Sequence, residues 1–269
     1  MKHIILACTS IWVLSTAAFA CADTITIAAS KDSSIYAANV NNSNGAGPGM
    51  FTGTDNSSKT SRSLIAFDIA GVPQLTGATI TGVQLVLALG MVPGGSPPAP
   101  SPETIDLHRL TADWGQGTTG SSSTTIGGTG GGFPANNGDA TWNARMFSGT
   151  LWSTPGGDYS ATTSASLSVG NTINSPYTWA STPTLVADVQ GWLDNPPSNF
   201  GWELVNEDET SARTFRAFYT REASTAAFRP QLQITYTAAT PEPSSVLLIA
   251  AGAAAVFMVC GRQRNTFAR

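Results

Sequence analysis

Carboxylates are the side chains of this sequence best suited to chemistry. Asp32, Asp68, Asp113, Asp139, Asp158 and the run Glu207, Asp208, Glu209 fall in loops or at the ends of expected strands. Two carboxyl groups facing one groove can hydrolyse a glycosidic bond. The same oxygens can hold calcium, a hard ion that draws on loop carboxylates and carbonyls. On that reading Asp32, Asp139, Glu207, Asp208 and Glu209 are the candidate ligands. The third alternative is that these groups accept turn hydrogen bonds or simply face water. Calcium would suit the chain, because Cys8, Cys21 and Cys260 all lie in its terminal segments and leave the body without a disulfide.

Aromatic residues offer a different chemistry. A sugar ring stacks its C–H face on an indole while polar groups fix its hydroxyls. Beyond Trp12 the tryptophans are Trp114, Trp142, Trp152, Trp179, Trp192 and Trp202. Trp192 and Trp202 fall on apolar faces and are expected in the core. Trp142, Trp152 and Trp179 fall in a loop-rich stretch and are the candidate sugar-stacking residues, with core burial as the alternative.

Other sites are poorly supported. After His3 the sequence has a single histidine, His108, within an expected strand, and no G-x-S-x-G string that would present a nucleophilic serine. Zinc needs several His or Cys ligands, which the body lacks. Gly115–Gly120 spells G-x-G-x-x-G, but a Gly/Ser/Thr tract follows where a nucleotide site needs a helix. Between Asp23 and Thr240 there are nine basic and sixteen acidic residues, which argues against nucleic acid as a partner.

The elements that must position these groups read as strands. Only 11% of the 269 residues are charged, whereas 28 are serine, 34 threonine, 27 glycine and 16 proline, a composition of strands and turns rather than helix bundles. Alternating runs occur at Ile65–Ile69, Val83–Leu89, Ile105–His108, Trp202–Leu204, Phe215–Thr220 and Gln231–Tyr236, each with one apolar and one wetter face. The run at 215–220 assigns Phe215, Ala217 and Tyr219 to the apolar face. Leu185, Val186, Val189, Trp192 and Leu193 follow a helical stripe, with Thr182 to cap it, Pro183 at its first position and Asn195-Pro196-Pro197 to end it. The expected fold is all-β: an antiparallel, jelly-roll-like β-sandwich with one short helix.

Both ends read as addresses. Lys2, an apolar stretch from Ile4 to Leu14 and small residues at Ala18, Ala20 and Ala22 make a secretory signal over residues 1–22. A lipidated Cys21 is the lesser alternative. Val246 to Cys260 is an uncharged helix of about 22 Å at ~1.5 Å per residue, short of the ~30 Å hydrocarbon core, followed by Arg262, Arg264 and Arg269. Such a segment stops transfer and holds the chain to the membrane until it is processed; a plain tail anchor is the alternative.

Pro241-Glu242-Pro243, the apolar helix and then Arg262 and Arg264 together resemble the PEP-CTERM sorting signal. The resemblance implies processing of residues 241–269 by an exosortase-type enzyme. The body would then be exported across the inner membrane to the cell surface or extracellular matrix of a Gram-negative bacterium that makes polysaccharide.

Residues 23–240 resemble the DNRLRE domain, an extracellular β-sandwich module. The resemblance rests on Arg62–Asp68, Ala78–Leu85, His108–Trp114, Asp139–Asn143, Leu185–Trp192, Asn199–Trp202, Tyr219–Glu222 and Arg229–Tyr236, in the family's order. Two departures stand out: Gln116 replaces the family's usual glutamate after the tryptophan, and Arg145–Tyr177 is a longer insert than short members carry. Arg62 and Arg221 lie in matching strings and are expected to pair with acids such as Asp68 or Glu222. The resemblance implies a non-enzymatic module associated with or bound to extracellular polysaccharide. A structural surface protein without a specific ligand, and a glycan-active enzyme, are the alternatives.

Overall fold

The computed structural model describes residues 21–95, 99–120, 126 and 131–239. Pro241, Glu242, Pro243, Arg262, Arg264, the tail helix and the signal segment before Cys21 lie outside the described residues. Ala22–Ala238 forms one compact unit.

The strands in chain order are β1 (Ala22–Tyr36), β2 (Asn42–Ser43), β3 (Gly49–Thr54), β4 (Thr60–Phe67), β5 (Thr79–Met91), β6 (Glu103–Leu110), β7 (Phe133–Pro134), β8 (Ala144–Met146), β9 (Thr150–Leu151), β10 (Tyr159–Val169), β11 (Ser175–Trp179), β12 (Trp202–Asn206), β13 (Arg216–Tyr219) and β14 (Gln231–Thr237). Every pairing among the described residues is antiparallel. A first sheet is built from β3, β13, β5, β11, β14 and the start of β1. A second holds β10, β6, β12, β4, the end of β1, β2 and β7.

Two strands pass from one sheet to the other. β1 pairs with β14 from Ala22 to Ala28 and with β4 from Ala29 onwards, and its register shifts between Ala29 and Lys31. Such a shift bends and twists a strand, which lets one chain serve both layers. β3 pairs with β13 up to Thr52 and with β4 at Gly53 and Thr54. Gly53 has φ +104°, and a Cβ there would lie 2.9 Å from the Phe215 Cα, so the crossing needs glycine.

The main core lies between the sheets. Val83, Leu85, Leu87 and Leu89 of β5, with Leu232 and Ile234 of the adjacent β14, face Ile105 and Leu107 of β6 and Trp202 and Leu204 of β12. Each such side chain, when fully buried, contributes roughly 1.5–3 kcal/mol. The helix α1 (Pro183–Asp194) packs against β5 and β10 and adds Leu185, Val189 and Trp192 to this core. Thr182 accepts the Leu185 N–H at 3.0 Å, so the expected cap and stripe are both present.

Two features depart from the sequence reading. The insert Arg145–Tyr177 contains β10 and the first three residues of β11, the partners of β6 and β5. The face expected for β13 is the opposite of the one observed. Phe218 and Arg216 point to the main core side, while Ala217 joins Phe51 and Ile126, with Phe215 and Tyr219 packed around them, in a separate outer cluster. Both faces of β13 are covered, so apolar alternation could not say which one was inside.

Candidate functional site

The outer face of the second sheet is where side chains of chemical interest meet. Register aligns Leu64 of β4, Glu203 of β12 and His108 of β6 in one row. Arg62 lies two residues before Leu64 and therefore on the same face. The described segments 112–120 and 131–159 pack Trp114, Ala140 and Trp152 over this face, against Ile35, Leu64 and Leu110. The indoles are fastened by hydrogen bonds: Trp114 Nε1 donates to Phe200 O at 2.9 Å and Trp152 Nε1 to Thr141 O at 2.8 Å.

Where that cover ends, an open cleft of about 480 Å³ remains, lined by Arg62, Thr111, Ser153, Thr154, Asp158 and Tyr159, among others. Asp158 shapes its rim, accepting the Ser153 N–H at 2.8 Å and the Thr154 N–H at 3.0 Å. Arg62 forms its inner wall. It grips Glu209 as a fork, Nε to Oε1 at 2.8 Å and Nη2 to Oε2 at 2.7 Å, and donates from Nη1 to Gly156 O at 2.9 Å. Its guanidinium lies 5.2 Å from the Trp142 ring centre and 5.5 Å from that of Tyr159. Burial works against the Arg62 charge, but the bonds to Glu209 and the field of Glu203 outweigh it and raise its pKa.

Glu203 lies beneath the cleft at 0% exposure, with neither carboxyl oxygen in a hydrogen bond. Its nearest cation is Arg62 Nη1, 3.6 Å from Oε1. Burial raises its pKa well above the ordinary value, and the charge of Arg62 only partly opposes this. Gly157 seals it from above: φ there is +112°, and a Cβ would fall 2.0 Å from Glu203 Oε2. His108 is a sheet-face residue, its Nδ1 3.0 Å from Ser160 O and its ring against Tyr159.

The expected site residues do not gather in one place. Trp179 is fully buried in the main core with Nε1 on Ile105 O at 2.9 Å, and Trp152 is 4% exposed. Neither offers a face to a sugar, because each indole fills a gap between layers. Trp142 is half-buried under Arg62, so that cation covers the ring a sugar would use. Among the acids, Asp139 is buried and uses both oxygens on backbone N–H groups, Thr118 at 3.1 Å and Asn136 at 2.9 Å. Asp208 holds its own turn, and hydrogen bonds from Ser211 and Thr210 keep its carboxyl well below the usual range. Glu209 is committed to Arg62, and Glu207 is exposed.

Asp32 is fully buried beside Glu222. Burial and then the Glu222 charge raise its pKa, against the Arg221 N–H that it accepts. Of the two expected arginine pairings, that of Arg221 with Glu222 is present and that of Arg62 with Asp68 is not. Arg62 pairs with Glu209 rather than Asp68, which instead accepts the Gly71 N–H at 2.9 Å, and Arg221 Nε lies 3.6 Å from Glu222. Among the described residues no group of three or more His, Cys, Asp or Glu side chains is placed to hold a metal.

Sequence comparison adds one assignment outside the fold. Residues 239–264 match the PEP-CTERM protein-sorting motif, which spans Pro241, Glu242, Pro243, Arg262 and Arg264. No curated protein matches the chain. The motif is a signal recognised by exosortase. It marks an exported protein sorted to the cell surface or the extracellular space.

Proposed function

We propose that residues 23–240 form a non-catalytic, DNRLRE-like domain that binds extracellular polysaccharide through the cleft beside Arg62 and Tyr159. The observation that carries this reading is the cleft itself: wide enough for a sugar unit, rimmed by hydroxyls and bounded by an aromatic ring. Its carboxylates favour binding over hydrolysis. Asp158 is bonded to its own loop, Glu209 to Arg62, and Glu203 is sealed under Gly157. An acid and base facing each other across a groove would need such groups free. Export then places the domain among glycans outside a Gram-negative cell, after a transient stay in the membrane that an exosortase ends.

The test is retention on a panel of insoluble and soluble polysaccharides, neutral and acidic. Retention of the native protein on one glycan class, lost in Thr154→Trp, would support the cleft, since that exposed position lines it and the indole fills it. Absence of retention on every glycan would sink the binding reading and leave a structural surface protein.

A further inference from the structure

The acids of this protein fall into two groups. Asp139 has a backbone N–H on each carboxyl oxygen, and so does Asp158. Asp32 does not. Its Oδ2 accepts the Arg221 N–H at 2.8 Å, but Oδ1 is buried with no partner, on a side chain at 0% exposure. Asp32 is in hydrogen-bonding contact with Glu222, whose Oε1 accepts Gln116 Nε2 at 3.0 Å and whose Oε2 is likewise buried and unpartnered.

Arg221 is a cation beside the pair, its Nε 3.6 Å from Glu222 Oε1, but neither Asp32 Oδ1 nor Glu222 Oε2 receives a hydrogen bond from it. Arg221 Nη1 is spent on Ser30 O and Gln116 Oε1, and Lys31 is turned to Asp113 and Trp114 O. The same Gln116 Nε2 reaches Gly45 O at 2.6 Å, which draws the Asn44–Gly45 segment against the pair. Asn44 is 5% exposed, gives its Nδ2 to Gly49 O and is in hydrogen-bonding contact with the buried Tyr36 hydroxyl.

When both groups are ionised, Asp32 and Glu222 leave two touching, buried oxygens, Oδ1 and Oε2, that receive no N–H of the protein. Leaving such acceptors unmade is costly. A hard divalent cation satisfies oxygens in this situation, and carboxylates with amide carbonyls and water are the ligands calcium prefers. The Glu222 side chain is 27% exposed, so one flank is open to water ligands and to entry. We propose that Asp32 and Glu222 form the anionic half of a divalent-cation site of calcium type, with the Asn44–Gly45 segment supplying neutral oxygen. The site ties β1 to the turn after β13 and to the loop after β2. It is independent of the polysaccharide cleft.

The experiment uses the full chain in detergent. Thermal unfolding is followed in EDTA and in calcium, and terbium is titrated with excitation of the tryptophans. Calcium about 100-fold above Kd should raise Tm by about 5–10 °C, and terbium should show sensitised emission that calcium displaces. Asp32→Asn should weaken both responses more than about tenfold, since ligand charge sets affinity. Glu222→Gln, at a partly exposed position, serves where Asp32→Asn fails to fold. An unchanged Tm with no sensitised terbium would overturn the site. So would a calcium response that survives intact in Glu222→Gln.

Discussion

Trp202 on β12 and Asp188 on α1 are joined by a hydrogen bond, Nε1 to Oδ2 at 2.9 Å, inside the main core. The same Oδ2 accepts the Ser164 hydroxyl of β10, and Oδ1 lies 3.2 Å from Arg109 Nε. One carboxylate thus fixes the helix to three strands, while Trp192 meets Trp202 edge-on at 4.5 Å between ring centres.

Asp188→Ala is therefore expected to act beyond the loss of one bond. It leaves a buried indole N–H and a buried hydroxyl unpaired, at about 1–3 kcal/mol for each group stranded in this way. Asp188→Asn keeps an acceptor oxygen and should cost less. Urea unfolding of the two variants, followed by tryptophan fluorescence, would show that ranking; equal stabilities would count against the network.

Glu203 makes stability depend on pH with a definite sign. Burial raises its pKa above the ordinary value of 4.5, so the folded chain holds a proton that the unfolded chain has already released. Stability is then full below the unfolded carboxylate range and falls as pH rises from there toward the folded pKa. Glu203→Gln retains the shape and removes the titration. Unfolding free energies at a series of pH values should decline more steeply in the native protein than in the variant over that window. Parallel curves would contradict the assignment.

Arg216 is a cation at 0% exposure whose hydrogen bonds all go to backbone carbonyls, among them Pro100 O at 2.7 Å and Gly170 O at 2.9 Å. Burial lowers its pKa, and nearby Glu103 partly offsets this. It staples Pro100 and the end of β10 to β13. Arg216→Met should destabilise by about 2 kcal/mol or more, because it strands several buried acceptors at once, and should speed proteolysis around Pro100. Unchanged cleavage there would show that Pro100 is held by other means.

The parts of this fold legible in the sequence are those coded locally. Thr182, Pro183 and the Leu185–Trp192 stripe specify α1 within a dozen residues, and the alternation of Gln231–Tyr236 specifies β14. β10 escaped because Tyr159–Val169 is largely serine, threonine and alanine, and its strand character comes from pairing with β6. The candidate site was harder still. Arg62 stands out in the sequence, but its partner Glu209 lies 147 residues away, and no local pattern distinguishes that acid from its neighbours Glu207 and Asp208. Residue type marked Trp152 and Trp179 as possible sugar platforms, whereas only the packing of the layers shows that they fill the interior. The sequence marks Glu222 as a partner for Arg221, as found, whereas its contact with Asp32 depends on β1 and the turn after β13 meeting in space.

The placing of β14 has a mechanical consequence. The strand is bonded along both sides, to β1 from Ala22 to Ala28 and to β5 from Thr79 to Val86, and its last residue, Thr237, is paired with both neighbours. A pull on the chain beyond Thr237 acts along the strand. It must shear two antiparallel ladders together, since neither can be peeled open one bond at a time. A body tethered from that side and dragged by flow would thus meet the load with a strand paired on both sides at every residue, and tension would reach the core before it reached the cleft loops.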